Sequence, residues 1–184
     1  MFIASSTNNH YADFVQSLTL NPKIIFIEKG FKNTLQKEQA RLLTKDIPVY
    51  ILSQYRYSNV FDHMVGNIIK CYYEWTIEKG EISEWAYHII SIDNYIKKTN
   101  NQLDIVLPGN YILDSISECS IQFGNERKLK IYITTDTHQF NIVLGKTSNS
   151  IYNGKTTLEF NEDCLGKQIT DILDNIKNTK LERL

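Results

Sequence analysis

Three short apolar segments separated by helical patterns open the chain, and this alternation constrains the fold more than any other feature. Residues 23–27 carry a continuous apolar run of strand length, typical of a strand buried on both faces of a parallel sheet. Residues 47–52 carry the next such run, and residues 2–4 a shorter one. Because strand, helix and strand follow one another within about thirty residues, the pattern predicts βαβ units.

The helices between these strands are predicted from their caps and spacing. Residues 10–20 place apolar side chains at helical intervals, and Thr34 is a candidate N-cap for a helix over residues 35–45. We expect the inner side of this second helix to consist of Leu35, Gln39, Leu42 and Leu43. The first 57 residues are therefore predicted as α/β, a parallel sheet with helices.

The middle of the chain has two interpretations. Residues 58–78 fit one helix, or a short helix at 58–65 followed by a strand at about 67–77. The β-branched and aromatic content of the second part favours the strand. Residues 82–98 are predicted as a helix with an isoleucine-rich inner stripe.

From residue 103 the pattern changes to alternation interrupted by turns. It predicts strands over residues 103–107, 111–123, 128–135, 139–144 and 156–160. A final helix over about 165–180 has Leu165, Ile169, Ile172, Leu173 and Ile176 on one face. Residues 58–184 are thus predicted as an α+β domain, a mostly antiparallel sheet with helices on one face, following a first domain over residues 1–57.

Composition excludes several classes of protein. The chain of 184 residues has a formal net charge of -1 and is 42% hydrophobic, which excludes disorder and argues against a nucleic-acid binder. No apolar run approaches the roughly 18 residues of a membrane helix, and the N-terminus lacks the pattern of a secretion signal. Three widely spaced cysteines favour neither a disulfide framework nor a metal site. We expect a cytoplasmic protein.

Four short motifs occur in order along the chain. Residues 2–10 read Phe-Ile-Ala-Ser-Ser-Thr-Asn-Asn-His, and residues 25–30 read Ile-Phe-Ile-Glu-Lys-Gly. Residues 51–57 read Ile-Leu-Ser-Gln-Tyr-Arg-Tyr, and residues 84–88 read Glu-Trp-Ala-Tyr-His. This ordered set resembles the Gfo/Idh/MocA family of NAD(P)-dependent oxidoreductases. The resemblance implies a partial Rossmann-like parallel sheet for residues 1–57 and hydride transfer on a sugar, sugar nucleotide or polyol.

Oxidation of a hydroxyl requires a base that takes the O–H proton while hydride leaves the carbon, and histidine suits that task near neutral pH. The resemblance implies that Lys29, Glu84 and His88 are catalytic, with Glu84 and His88 at i, i+4 on one helix face. It implies that Arg56 and Tyr57 bind the substrate. It also implies a cofactor-binding set consisting of Ser5, Ser6, Thr7, Asn8, His10 and Glu28.

The sequence departs from the family pattern in its phosphate loop. No Gly-x-Gly-x-x-Gly is present, although a dinucleotide fold needs this turn beside the pyrophosphate. The chain is therefore expected to be an N-terminally truncated relative that starts at the fourth strand of the Rossmann domain. NAD or NADP is the cofactor that the resemblance implies, and the missing loop weighs against binding by this chain alone. Gly30 also replaces the signature proline.

Other interpretations remain open. Without the resemblance, a Glu/His pair at i, i+4 is usually a solvated helix pair, and Gln54–Tyr57 could be an aromatic-basic patch for single-stranded nucleic acid. The chain could instead be a non-catalytic shortened relative that binds a partner or ligand. Its first strand is expected to leave a sheet edge for a second copy or another partner to cover. A small interaction protein of unrelated origin is a third class.

Overall fold

The computed structural model describes most of the chain. The described residues are 1–6, 8–28, 30–31, 34–44, 46–78, 82–98, 110–145, 148–174 and 182–183. The backbone alone is described for residues 34, 82–86, 110–112, 114, 173 and 182–183.

The first part of the chain forms a small sheet with alternating helices. Its elements are β1 (Phe2–Ile3), α1 (His10–Leu18), β2 (Ile25–Glu28), α2 (Thr34–Leu43) and β3 (Val49–Leu52). These three strands are parallel, in the order β1-β2-β3, as the βαβ pattern predicts. All three residues of the Ile25–Ile27 run are buried, because helices and chain cover both faces of the central strand.

The second part forms a larger, mostly antiparallel sheet. Two 3-10 helices, Gln54–Tyr57 and Asn59–His63, lead into it. Its elements are β4 (Ile68–Ile77), α3 (Ile82–Lys97), β5 (Asn110–Asp114), β6 (Ser117–Phe123), β7 (Lys128–Thr135), β8 (Gln139–Leu144), β9 (Asn149–Tyr152), β10 (Thr157–Phe160) and α4 (Cys164–Asp174). The strand order is β10-β9-β8-β7-β4-β6-β5, in which the pair β4–β6 is parallel. The predicted fold class, α/β followed by α+β, is confirmed.

The strand interpretation of the middle segment is correct. In β4 the buried positions alternate through Cys71, Tyr73, Trp75 and Ile77, the period of a half-buried strand. The register shifts between Ile68 and Lys70, so Ile69 is 56% exposed. The inner face of this sheet, covered by α3, holds the larger of the hydrophobic cores.

Several sequence predictions are wrong in detail. Residues 111–123 are two antiparallel strands, β5 and β6, because the chain turns at Ser115-Ile116. The strand β9 and the two-residue strand β11 (Glu182–Arg183), which pairs antiparallel with β3, were not predicted. The predicted strand at 103–107 and the end of the last helix beyond residue 174 lie outside the described residues. The boundary at residue 57 between two domains stays a prediction.

Two helices bury faces other than the predicted ones. In α2, Leu35 and Leu42 are more than 60% exposed, and the buried positions of this segment are Ala40 and Thr44. In α4, Leu165 and Ile169 are about 40% exposed. The buried line of α4 consists of Cys164, Gln168 and Ile172, spaced by four residues, so of the predicted face Ile172 is buried as expected. The predicted face was chosen from its apolar residues, whereas the polar Gln168 lies at the centre of the buried side of α4.

Candidate active site

The three parallel strands end at the same edge of the small sheet. Ser5 lies in the segment after β1, Gly30 in the segment after β2, and Ser53 directly after β3. Ligands of open α/β sheets bind outside the carboxyl ends of the strands. This edge is therefore where the candidate site is built.

His88 is held against this edge from α3. The side chain is 2% exposed, and its Nδ1 lies 3.2 Å from Oγ of Ser53, which is fully buried. The ring of Tyr55, in the first 3-10 helix, meets the imidazole edge-on with centroids 5.0 Å apart. Ser53 and Tyr55 together fix the orientation of the His88 ring.

This arrangement suits proton transfer. A hydrogen bond at one ring nitrogen of a histidine sets the orientation and the chemical role of the other nitrogen. Burial raises the pKa of Tyr55, so the phenol beside His88 stays neutral at physiological pH. The imidazole also borders a cavity of about 10 Å³ that Trp75 and Arg127 help to line. That volume is the room of roughly one water molecule.

The structure does not describe the side chains of Lys29 and Glu84, the other two members of the predicted catalytic set. Lys29 lies outside the described residues. Glu84 belongs to α3, one turn before His88, and its backbone alone is described. The catalytic roles of Lys29, Glu84 and His88 stay predictions.

His10, the first residue of α1, joins two of the strand ends. It is 1% exposed, with Nδ1 2.6 Å from the carbonyl oxygen of Gly30 and Nε2 2.7 Å from that of Ser5. A carbonyl oxygen can only accept, so each contact is a hydrogen bond when the ring nitrogen facing it carries a hydrogen. Both nitrogens therefore contact the backbone, and His10 joins the segment after β1, at Ser5, to Gly30 after β2.

The other predicted cofactor residues differ in exposure and in contacts. Ser6 and Asn8 are exposed, and Glu28 ends β2 half-buried. Oγ of Ser5 donates to Asp13 of α1 at 2.5 Å. Ser5 and Asp13 also border a groove of about 340 Å³ between β1 and α1, within the size range of ligand sites. Thr7 lies outside the described residues, and the cofactor role of the set stays a prediction.

The predicted substrate residues are buried rather than open. Arg56 and Tyr57 are 6% and 7% exposed in the first 3-10 helix, which packs against α4. The hydroxyl of Tyr57 donates to Oδ2 of Asp171 at 3.2 Å. Nε and Nη2 of Arg56 have no hydrogen-bond partner within the described part of the chain. Their role toward substrate stays a prediction.

Sequence reasoning missed Ser53 and Gln168. Ser53 follows the last residue of a parallel strand, a position where ligands of open α/β sheets bind, and this rule could have selected it. Gln168 is completely buried on α4 with neither amide atom bonded within the described chain. Nothing in the sequence marks Gln168, because its neighbours Leu165 and Ile169 predict a different buried face.

A buried polar cluster between α3 and the large sheet was also missed. Oδ1 of Asp93 accepts from the hydroxyls of Tyr73 at 2.7 Å and Ser117 at 2.9 Å. Nζ of Lys97 lies 2.5 Å from Oδ2 of Asp93 and donates to Ser117 at 2.8 Å. All four residues are nearly inaccessible to solvent, so the cluster fixes α3 on the sheet.

The described residues contain neither a candidate metal site nor a helix that could span a membrane. No group of three or more His, Cys, Asp or Glu side chains in the described ranges could hold a metal ion. Within the same ranges, every helix is too short or too polar to cross a membrane.

Comparison with known proteins identifies the fold through structure. No family model and no curated protein matches the sequence. The chain is similar to a 3-ketoreductase, KijD10 from Actinomadura kijaniata with NADP, with a TM-score of 0.70 and 11% identity over 95% of this chain and 68% of that one. It is similar to the UDP-N-acetylglucosamine 3-dehydrogenase GnnA from Acidithiobacillus ferrooxidans, with a TM-score of 0.68 and 10% identity over 98% and 71%.

The fold is that of the Gfo/Idh/MocA-type oxidoreductases. A super-repressor mutant of Gal80p from Saccharomyces cerevisiae is also similar, with a TM-score of 0.63 and 14% identity over 96% of this chain and 67% of that one. At such low identity, the similarity shows that the helices and strands follow the same order. It does not show that the residues of the site are the same. A parallel sheet followed by a larger antiparallel sheet also counts against a small interaction protein of unrelated origin.

Proposed function

We propose that the chain is an oxidoreductase-like protein of the Gfo/Idh/MocA type. In this proposal it transfers hydride between NAD(P) and a sugar, sugar nucleotide or polyol. The observation that carries the proposal is the Ser53–His88 contact at the carboxyl end of the parallel strands, in a fold shared with NADP-bound and sugar-nucleotide oxidoreductases. A buried, oriented imidazole at that edge is what abstraction of a hydroxyl proton requires.

Each residue of the site has a proposed role. His88 takes the hydroxyl proton, Ser53 orients its ring through Nδ1, and Glu84, one turn earlier on α3, supports the imidazole. Lys29 polarises the substrate oxygen. Arg56 and Tyr57 contribute to substrate binding at the first 3-10 helix.

The nicotinamide cofactor fits this chain in part. Ser5, Ser6, Thr7, Asn8, His10 and Glu28 belong to segments at the strand ends, where a nicotinamide ring would be held. Because both nitrogens of His10 face backbone carbonyls, we assign it the support of this segment rather than direct contact. No Gly-x-Gly-x-x-Gly is present for the pyrophosphate. A bound cofactor would accept or supply the hydride.

A partner chain is part of the proposal. Among the described strands, β1 lies at one edge of the small sheet; its residue Phe2 is 49% exposed, and Met1 before it is 40% exposed. We propose that a second copy or another protein covers this edge. The free, buried state of Cys71, Cys119 and Cys164 is compatible with the reducing cytoplasm that we propose as its location.

A non-catalytic relative that binds a partner or ligand is the second candidate. The cavity beside His88 has room for about one water molecule, which favours it. Titration of the protein with NADPH and NADH, followed by fluorescence and calorimetry, separates the two. Saturable binding supports the oxidoreductase, and no binding of either dinucleotide would leave the second candidate.

A further inference from the structure

Arg56 has a guanidinium edge that the chain itself does not satisfy. The side chain is 6% exposed, and its Nε and Nη2 are buried without a hydrogen-bond partner in the described part of the chain. These two N–H groups point in the same direction, and together they form the fork that binds a carboxylate or phosphate through two parallel hydrogen bonds. A buried arginine is ordinarily paired in this way.

Gln168 has the same property on the facing helix. It lies at the centre of the buried line of α4, between Cys164 and Ile172, and is 0% exposed. Both its amide oxygen and its amide nitrogen lack a partner among the described residues. Whichever way the amide is turned, it presents an unused donor inside the protein.

Both side chains belong to elements that pack against each other. The 3-10 helix that contains Arg56 packs against α4, and the hydrogen bond from Tyr57 to Asp171 crosses between them. Asp171 lies three residues after Gln168, and Oδ2 of this carboxylate accepts from Tyr57. No ion pair joins Arg56 to an acidic residue of the described chain.

The interface adjoins the candidate active site. Arg56 follows Tyr55, whose ring contacts His88, and Ser53 immediately precedes this 3-10 helix. Arg56 is therefore within three positions along the chain of the two residues that orient the imidazole. The unsatisfied donors carry a positive charge, so the group that matches them is an oxyanion rather than a neutral hydroxyl.

We propose that Arg56 and Gln168 form an oxyanion subsite that binds the carboxylate or phosphate group of an acidic sugar substrate. This proposal rests on the proposed function and narrows it, because neutral polyols and neutral sugars are then excluded as preferred substrates. Both side chains are covered in this conformation, so the oxyanion enters when the 3-10 helix and α4 separate. Gln168 supplies one further donor beside the guanidinium fork.

The test measures anion binding in the absence of any nicotinamide cofactor. The intact chain is titrated with glucose 6-phosphate, glucuronate and glucose, and binding is followed by calorimetry and by the midpoint of thermal unfolding. We expect one or both acids to bind and raise the midpoint, and glucose to do neither. The stronger of the two acids identifies phosphate or carboxylate as the preferred group.

Two variants attribute the effect to the subsite. Loss of a charge-assisted bidentate pair predicts that Arg56→Met weakens acid binding by about 10- to 100-fold. Gln168→Met, which keeps the volume of the side chain, is expected to weaken it less. Arg41→Gln, on an exposed arginine of α2, is the matched control and should bind like the wild type. If Arg56→Met fails to fold, Gln168→Met decides.

The proposal is overturned if neither acid binds, or if Arg56→Met and Gln168→Met bind it as tightly as the wild type does. Acid binding without any dinucleotide-dependent turnover would support the subsite and contradict the proposed function. Turnover of neutral sugars without acid binding would support the proposed function and contradict the subsite.

Discussion

Oγ of Ser53 lies 3.2 Å from Nδ1 of His88, although the two residues are separated by 35 positions in the chain. The contact joins the end of a parallel strand to a helix that covers the other sheet. Both side chains are buried, so the hydrogen bond is shielded from competing water. The site therefore depends on how the two sheets are connected through this pair.

Removal of the Ser53 hydroxyl should impair His88 without unfolding the chain. In Ser53→Ala the imidazole loses the partner that orients it, so hydride transfer should fall and its dependence on pH should change. The measurement is the pH profile of turnover for wild type and variant, with the unfolding midpoint as a check on the fold. A variant with the same profile and rate would remove Ser53 from the site.

Gly30 should resist substitution because of its backbone. Its φ is +71°, and an added Cβ would lie 3.3 Å from Cδ1 of Ile51. Proline requires a φ near -65°, so the proline of the family signature cannot occupy this conformation. We expect Gly30→Ala to lower the free energy of unfolding by about 1–3 kcal/mol in urea titrations.

Gly154 provides the matched control for Gly30. Its φ is +88°, but an added Cβ meets nothing within 4 Å. Gly154→Ala should therefore show the cost of positive φ without the contact to Ile51. Equal losses in the two variants would mean that the contact contributes nothing.

Removal of one partner of the buried Lys97–Asp93 ion pair of α3 should lower the free energy of unfolding. Lys97→Met leaves the Asp93 carboxylate buried without its cation, and we expect a loss of about 3–5 kcal/mol in unfolding free energy. Adding Asp93→Asn should recover much of this loss, since the amide oxygen still accepts from Tyr73 and Ser117. The measurement is a double-mutant cycle by urea denaturation.

The exposed pair Arg41–Glu38, with an N–O distance of 3.4 Å, is the reference for this cycle. Arg41→Met is expected to change stability by less than about 1 kcal/mol. A Lys97→Met effect as small as that of the exposed pair would contradict the importance of the cluster.

Glu162 should make stability depend on acid pH. Burial alone raises the pKa of this carboxylate, but hydrogen bonds from Lys167, Ser58, Asn59 and Asn149 outweigh it, and the pKa is lowered. The unfolded chain therefore binds the proton more tightly. The stabilisation is complete above the ordinary pKa of 4.5 and is lost as pH falls through the lowered value.

Glu162→Gln should consequently be less stable than the wild type at neutral pH, and the difference should shrink in acid. Thermal unfolding of both proteins across this pH range measures the effect. Glu159→Gln, at an exposed position of β10, should leave the profile unchanged. A constant difference between wild type and Glu162→Gln at all pH values would exclude this role.

The sequence predicted strands wherever pattern and turn signals agreed. Residues 128–135 and 139–144 match β7 and β8, because both segments alternate strictly and the Asp136-Thr137 turn separates them. The chain reversal at Ser115-Ile116 was not predicted, since no glycine or proline marks it. Helix faces failed where leucines are exposed, as at Leu35 and Leu42, because packing and not residue type decides which face is covered.

The helices and strands that hold the site could be predicted from the sequence, but the contacts of its side chains could not. The family resemblance pointed to Ser5 and Glu28 near the strand ends, and position directly after a parallel strand could have pointed to Ser53. The contacts of His10 with two carbonyl oxygens and the unsatisfied fork of Arg56 depend on tertiary packing that no spacing rule encodes.

Hydride transfer by the purified chain tests the central claim most directly. NADPH and NADH are each incubated with sugars, sugar nucleotides and the keto forms of polyols, and oxidation of the reduced nicotinamide is followed by its absorbance. We expect turnover of at least one substrate. His88→Gln should lower this turnover by about 10²- to 10⁴-fold, and the variant should unfold at the same midpoint as the wild type. Turnover that His88→Gln leaves unchanged, or no turnover and no dinucleotide binding by the wild type, would contradict it.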